Sequence, residues 1–93
     1  MTAHAASAAT PPSNAPAYAQ LSSQRSEAAA RQSATEISNR YGTILGGANL
    51  EVQRVDLGER GIFYRVRVPA TSRADASQLC ANLKAAGADC LAL

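Results

Sequence analysis

The chain has 93 residues, and nine Lys and Arg against seven Asp and Glu leave a net charge of +2. So small a balance does not by itself imply nucleic acid or an anionic membrane surface. No run approaches the roughly 20 apolar residues of a membrane span, and no basic segment followed by an apolar stretch marks a signal peptide.

Met1–Pro16 holds Ala, Ser, Thr, Asn, three of the prolines and the lone His4, with no apolar period. Such a segment buries too little surface to offset its ordering entropy, so residues 1–16 are expected to be a flexible linker and residues 17–93 the folded domain. A domain of that size draws only about 3–5 kcal/mol from its core, and a covalent staple helps it. Any export signal or anchor is expected in a longer parent chain.

Tyr18-Ala-Gln-Leu-Ser22 alternates, with Ala19 and Leu21 on one face and Tyr18, Gln20 and Ser22 on the other. Ser22–Ser26 breaks the pattern and offers N-cap hydroxyls. From Glu27 to Tyr41, Ala30, Ala34, Ile37 and Tyr41 form one helical stripe, and Gly42 is expected to cap it in the left-handed conformation. Gly46–Asn49 reads as a turn.

Leu50–Leu57 reads as a second strand of ambiguous facing. Val52 and Val55 are three apart, so either a bulge intervenes or one of them is exposed. Gly58–Gly61 is a hairpin loop. Ile62–Val68 has the cleanest alternation: Ile62, Tyr64, Val66 and Val68 on one face, Phe63, Arg65 and Arg67 on the other. Pro69 lacks an N–H and is expected to close this strand.

Ser72-Arg-Ala-Asp75 has capping-box spacing, Asp standing for the usual Glu or Gln. Ala76, Leu79, Cys80 and Leu83 form the next helical stripe, Gly87 stops it, and Asp89–Leu93 is a final strand. The first strand and helix are echoed by Val66-Arg67-Val68 and the helix after it. The order β-α-β-β-α-β predicts an α+β split β-α-β fold: a four-stranded antiparallel sheet with both helices on one face, ferredoxin-like. Function is then expected on the uncovered face.

That face would present Phe63, Arg65 and Arg67 from a central strand beside Gln20, Tyr18 and Ser22. An aromatic ring, guanidinium forks and short polar groups suit a polysaccharide: sugar C–H faces pack on the ring, while hydroxyls and N-acetyl carbonyls exchange hydrogen bonds. Replacing Gln20 or Arg67 with alanine should therefore leave stability nearly unchanged. Solvated polar residues on any open sheet are the bland alternative.

Cys80 and Cys90 lie on the second helix and the adjoining strand, within reach of the roughly 4.4–6.8 Å Cα spacing of a disulfide. Two buried free thiols are the alternative. Without further ligands they are too few for zinc, so no metal and no cofactor are expected. Nor is an enzyme: no folded Ser or Cys has a histidine base, and no carboxylate pair faces across the sheet as glycan cleavage requires.

The same topology builds RNA-recognition motifs, and Arg60-Gly61-Ile62-Phe63-Tyr64-Arg65-Val66-Arg67 partly echoes their third-strand signature. It departs where stacking is made: Ile62 replaces an aromatic, Phe63 a small residue and Arg67 an aromatic. Nucleic acid is not the expected partner.

Tyr18-Ala-Gln-Leu-Ser-Ser23, Gly61–Val68 followed by Ser-Arg-Ala-Asp-Ala76, and Leu79–Leu91 resemble the SPOR domain, the sporulation-related repeat of bacterial envelope proteins, over about Ala17–Leu93. The resemblance implies non-catalytic binding of peptidoglycan glycan strands stripped of stem peptides, and targeting to the division septum. The implied glycan contacts are Gln20, Ser22, Ser23, Arg65 and Arg67, to which alternation adds Phe63. A periplasmic setting favours the Cys80–Cys90 bridge. The parent is expected to be membrane-anchored, with no membrane contact in this chain, and the domain monomeric. Alternatively the face docks a cell-division or wall-remodelling protein. Two departures stand out: Gln24 replaces a usual aromatic, and the turn Val68–Ser72 is one residue short, without the family's Gly and Phe.

Overall fold

A computed structural model describes residues 14–93; most of the expected linker, His4 included, lies outside them. The elements are β1 (Ala17–Gln24), α1 (Glu27–Leu45), β2 (Glu51–Asp56), β3 (Ile62–Ala70), α2 (Arg73–Ala85) and β4 (Leu91–Ala92). The strands form one antiparallel sheet in the order β2-β3-β1-β4. This is the split β-α-β arrangement that the hydrophobic periods imply.

Both helices cover the same sheet face. Ala30 and Ala34 of α1 and Cys80 and Leu83 of α2 bury against Ala19, Leu21, Val66 and Val68. Ala30, Ala34 and Ala76 are fully buried, small side chains that let the helices lie near the sheet. The two halves start their helices alike: Ser26 Oγ accepts from Ala29 N and Ser72 Oγ from Asp75 N. Each cap satisfies one amide that the helix leaves without a partner.

Helix α1 runs past its expected end. Tyr41 leaves helical geometry (φ −118°, ψ 22°), yet the chain resumes and is capped by Gly46 at φ 62°, not by Gly42. Burial decides this: Leu45 is buried and Ile44 packs on the core, which holds the final turn against the sheet. Strand β3 also runs through Pro69 instead of ending before it. Pro69 pairs with Tyr18, whose amide and carbonyl both bond to Leu93 (3.0 and 2.8 Å), so the ladder asks no donor of the proline.

The β2–β3 ladder settles the facing of the second strand. Its register runs without a shift from Glu51 opposite Arg67 to Asp56 opposite Ile62. Val52, opposite Val66, joins the core, and Val55, opposite Phe63, lies on the uncovered face; β2 has no bulge. The expected last strand shrinks to two residues, tied to α2 by a Cys80–Cys90 disulfide with a Cα separation of 5.1 Å.

Candidate functional site: the uncovered sheet face

A β-bulge in β1 determines which side chains reach this face. Gln20 pairs with Arg67 and Ser22 with Val66, so Leu21 is the extra residue. Two consecutive residues, Leu21 and Ser22, therefore turn toward the helices, and the alternation restarts one step out of phase. Ser22 does not stand beside Gln20: its hydroxyl receives hydrogen bonds from Ser33 of α1 (2.9 Å) and from Gln24 Nε2 (2.8 Å). Ser23 takes the open face instead, opposite Arg65. Gln24, opposite Tyr64, lies on the helix side, so the aromatic missing there is lost from packing and not from the open face.

Arg67 is on the uncovered face as expected, but it is an internal group. It is only 8% exposed, and Glu51 opposite it only 2%. Its Nη1 donates to Gln53 Oε1 at 2.9 Å, its Nε stands 3.7 Å from Glu51 Oε1 without a hydrogen bond, and its Cζ lies 3.7 Å from the centroid of the Tyr18 ring. The Tyr18 hydroxyl in turn accepts from the Ala15 amide at 2.9 Å. Removing Arg67 would therefore disturb a buried ion pair, contrary to the stability-neutral substitution that alternation suggests. Glu51 was legible in principle, because counting outward from the Gly58–Gly61 hairpin pairs it with Arg67.

The other end of the face, toward that hairpin, is built around Phe63. Arg25, which the strand pattern did not single out, lies over its ring at 4.6 Å from the centroid. Arg65 is two residues along β3 on the same face, and exposed Ser23 stands across from it. Leu91 of β4, opposite Gln20 and 54% exposed, adds an apolar rim on the far side of β1. Gln20, Ser23, Phe63 and Arg65 thus share one surface, Arg67 lies within it, and Ser22 is turned away.

The aromatics do not form a stacking pair. Tyr18 sits opposite Pro69, six residues along β3 from Phe63, about 20 Å at 3.3 Å per residue. A concavity of about 450 Å³ opens where β4 ends, between Gln20–Ser23 and Lys84, Asp89 and Leu91. Among the described residues no cluster of three or more His, Cys, Asp or Glu could hold a metal, and no helix is long and apolar enough to cross a membrane.

Compared with known families, residues 13–93 match the model of the SPOR domain. No curated protein and no solved structure matches the chain.

Proposed function

The chain belongs to the SPOR domain family, peptidoglycan-binding modules of bacterial cell-division and envelope proteins, and from that premise we propose that its uncovered sheet face binds glycan strands stripped of stem peptides and so directs a periplasmic protein to the division septum. One observation carries the reading. Gln20, Ser23, Phe63 and Arg65 lie side by side on adjacent central strands, on the face that the helices leave bare. A long, shallow surface with an aromatic ring, an amide, a hydroxyl and a guanidinium suits a polymer of acetylated sugars more than a small enclosed ligand. The Cys80–Cys90 bridge accords with an oxidising compartment.

Pull-down on purified sacculi, with and without prior amidase treatment, tests it. Amidase-treated sacculi should retain more protein, and Gln20→Ala or Arg65→Ala should weaken retention while the melting temperature stays within a degree or two. Equal retention on untreated sacculi would exclude the preference for stripped strands.

A second reading, docking of a division or wall-remodelling protein, draws on the outer edge of β1. Beyond Gln20 no strand lies beside that edge among the described residues, and the 450 Å³ concavity opens there. Binding that survives on protein-free sacculi favours the glycan.

A further inference from the structure

Three guanidinium groups belong to the uncovered face, and they differ in what they already hold. Arg67 is neutralised from within by Glu51 and hydrogen-bonded to Gln53. The ion pairs among the described residues are Arg67–Glu51 and Arg31–Glu27, so neither Arg25 nor Arg65 meets a carboxylate of the protein. Both stand at the hairpin end around Phe63. Gly61 makes room for one of them: a Cβ at that position would come within 3.3 Å of Arg25 Nη2. Exposed Ser23 faces Arg65 across the ladder. The result is an aromatic ring with one positive fork over it and a second two residues along the strand, neither with a counter-charge, and a hydroxyl opposite the second.

Removal of a stem peptide leaves a chemical mark on the glycan. Water cleaves the amide joining the lactyl ether of muramic acid to the first amino acid; the peptide departs with the amine and the sugar keeps a carboxylate. An intact strand has a neutral amide at the same place. Resting on the glycan reading above, we infer that Arg25 and Arg65 recognise this lactyl carboxylate, and that they supply the preference for stripped strands. A guanidinium binds a carboxylate through two parallel, charge-assisted hydrogen bonds, which an amide cannot match in charge or in acceptor geometry. Arg67 has no part in it, because its charge is already met inside the protein.

The test uses soluble oligosaccharides of alternating N-acetylglucosamine and N-acetylmuramic acid in two forms: with free lactyl carboxylates, and with each carboxylate capped as its methylamide. Calorimetric titration of the whole chain should find the free-acid form bound about tenfold more tightly. Arg25→Gln and Arg65→Gln should each reduce that ratio toward one, by weakening the free-acid form far more than the methylamide form. A loss of fold would lower both affinities together and leave the ratio intact. Arg25 is exposed and outside the strands, so its variant remains informative even if Arg65→Gln destabilises the sheet. Equal affinity of the unaltered protein for both forms would overturn the inference and leave the glycan reading standing. No binding of either form would remove the glycan reading, and the inference with it.

Discussion

Replacing Arg67 with alanine leaves the Glu51 carboxylate buried without its counter-charge. Breaking a buried pair in this way costs about 3 kcal/mol or more. The expected result is a clear fall in the urea midpoint, whereas Gln20→Ala and Arg65→Ala hold theirs. Exchanging both members of the pair for apolar residues of similar volume should recover most of the loss, since desolvation of the two ions then disappears as well. If Arg67→Ala melts like the unaltered chain, the pair is not buried in solution. The contrast matters for reading binding data: lost retention in an Arg67 variant reports on folding, while in an Arg65 variant it reports on the surface. Alternation along β3 placed Arg67 on the correct face. Its buried state depends on Glu51, which comes from another strand, and single-strand periodicity carries no information about that.

At the level of elements, the two glycines near the end of α1 separate the expected boundary from the observed one. Gly46 holds φ 62° at the cap, where an alanine pays a left-handed penalty of about 1 kcal/mol. Gly42 lies inside the helix, and a Cβ there meets nothing within 4 Å. Gly42→Ala should therefore stabilise by about 0.5–1 kcal/mol and Gly46→Ala should destabilise, as thermal melts would register. The opposite pair of outcomes would put the helix end back at Gly42. Helix stripes and caps were legible because they are local: Ala30, Ala34, Ile37 and Tyr41 all pack as spaced. The bulge at Leu21 was not, since nothing in Gln-Leu-Ser-Ser announces an extra residue until β3 supplies the register. That single insertion is why Ser22 faces the helices and Ser23 the open sheet.

The disulfide belongs to the same scale. It fastens a two-residue strand to α2, and closing so short a loop contributes on the order of 2 kcal/mol. Reductant should lower the melting temperature by roughly 10 °C for a domain of this size. An unchanged melt would mean that β4 keeps its place on Ala19 and Gln20 without the bridge.

For the whole molecule, the architecture was readable because six elements in the order β-α-β-β-α-β admit few topologies, even with the facing of the second strand open. The composition of the surface was harder, being set by pairings between residues far apart in the chain. Strand order carries a consequence for the order of events in folding. β1 and β2 are never neighbours; β3 lies between them, and the other side of β1 is taken by the last residues of the chain. A nascent chain that has emerged only as far as Asp56 thus contains two strands and no ladder. Every backbone pairing in the sheet waits for β3, and β1 acquires its second neighbour only when Leu91–Leu93 arrive. Such late, long-range closure slows folding and keeps the leading half of the chain pliable for longer. A fragment ending at Asp56 should show at most helical signal and no slowly exchanging strand amides, while extension through Ala70 should bring protection to β1 and β3 together. If the proposed periplasmic role holds, the chain threads through a membrane before it works, and a sheet that cannot begin until two-thirds of its sequence is present will not jam the passage by forming early.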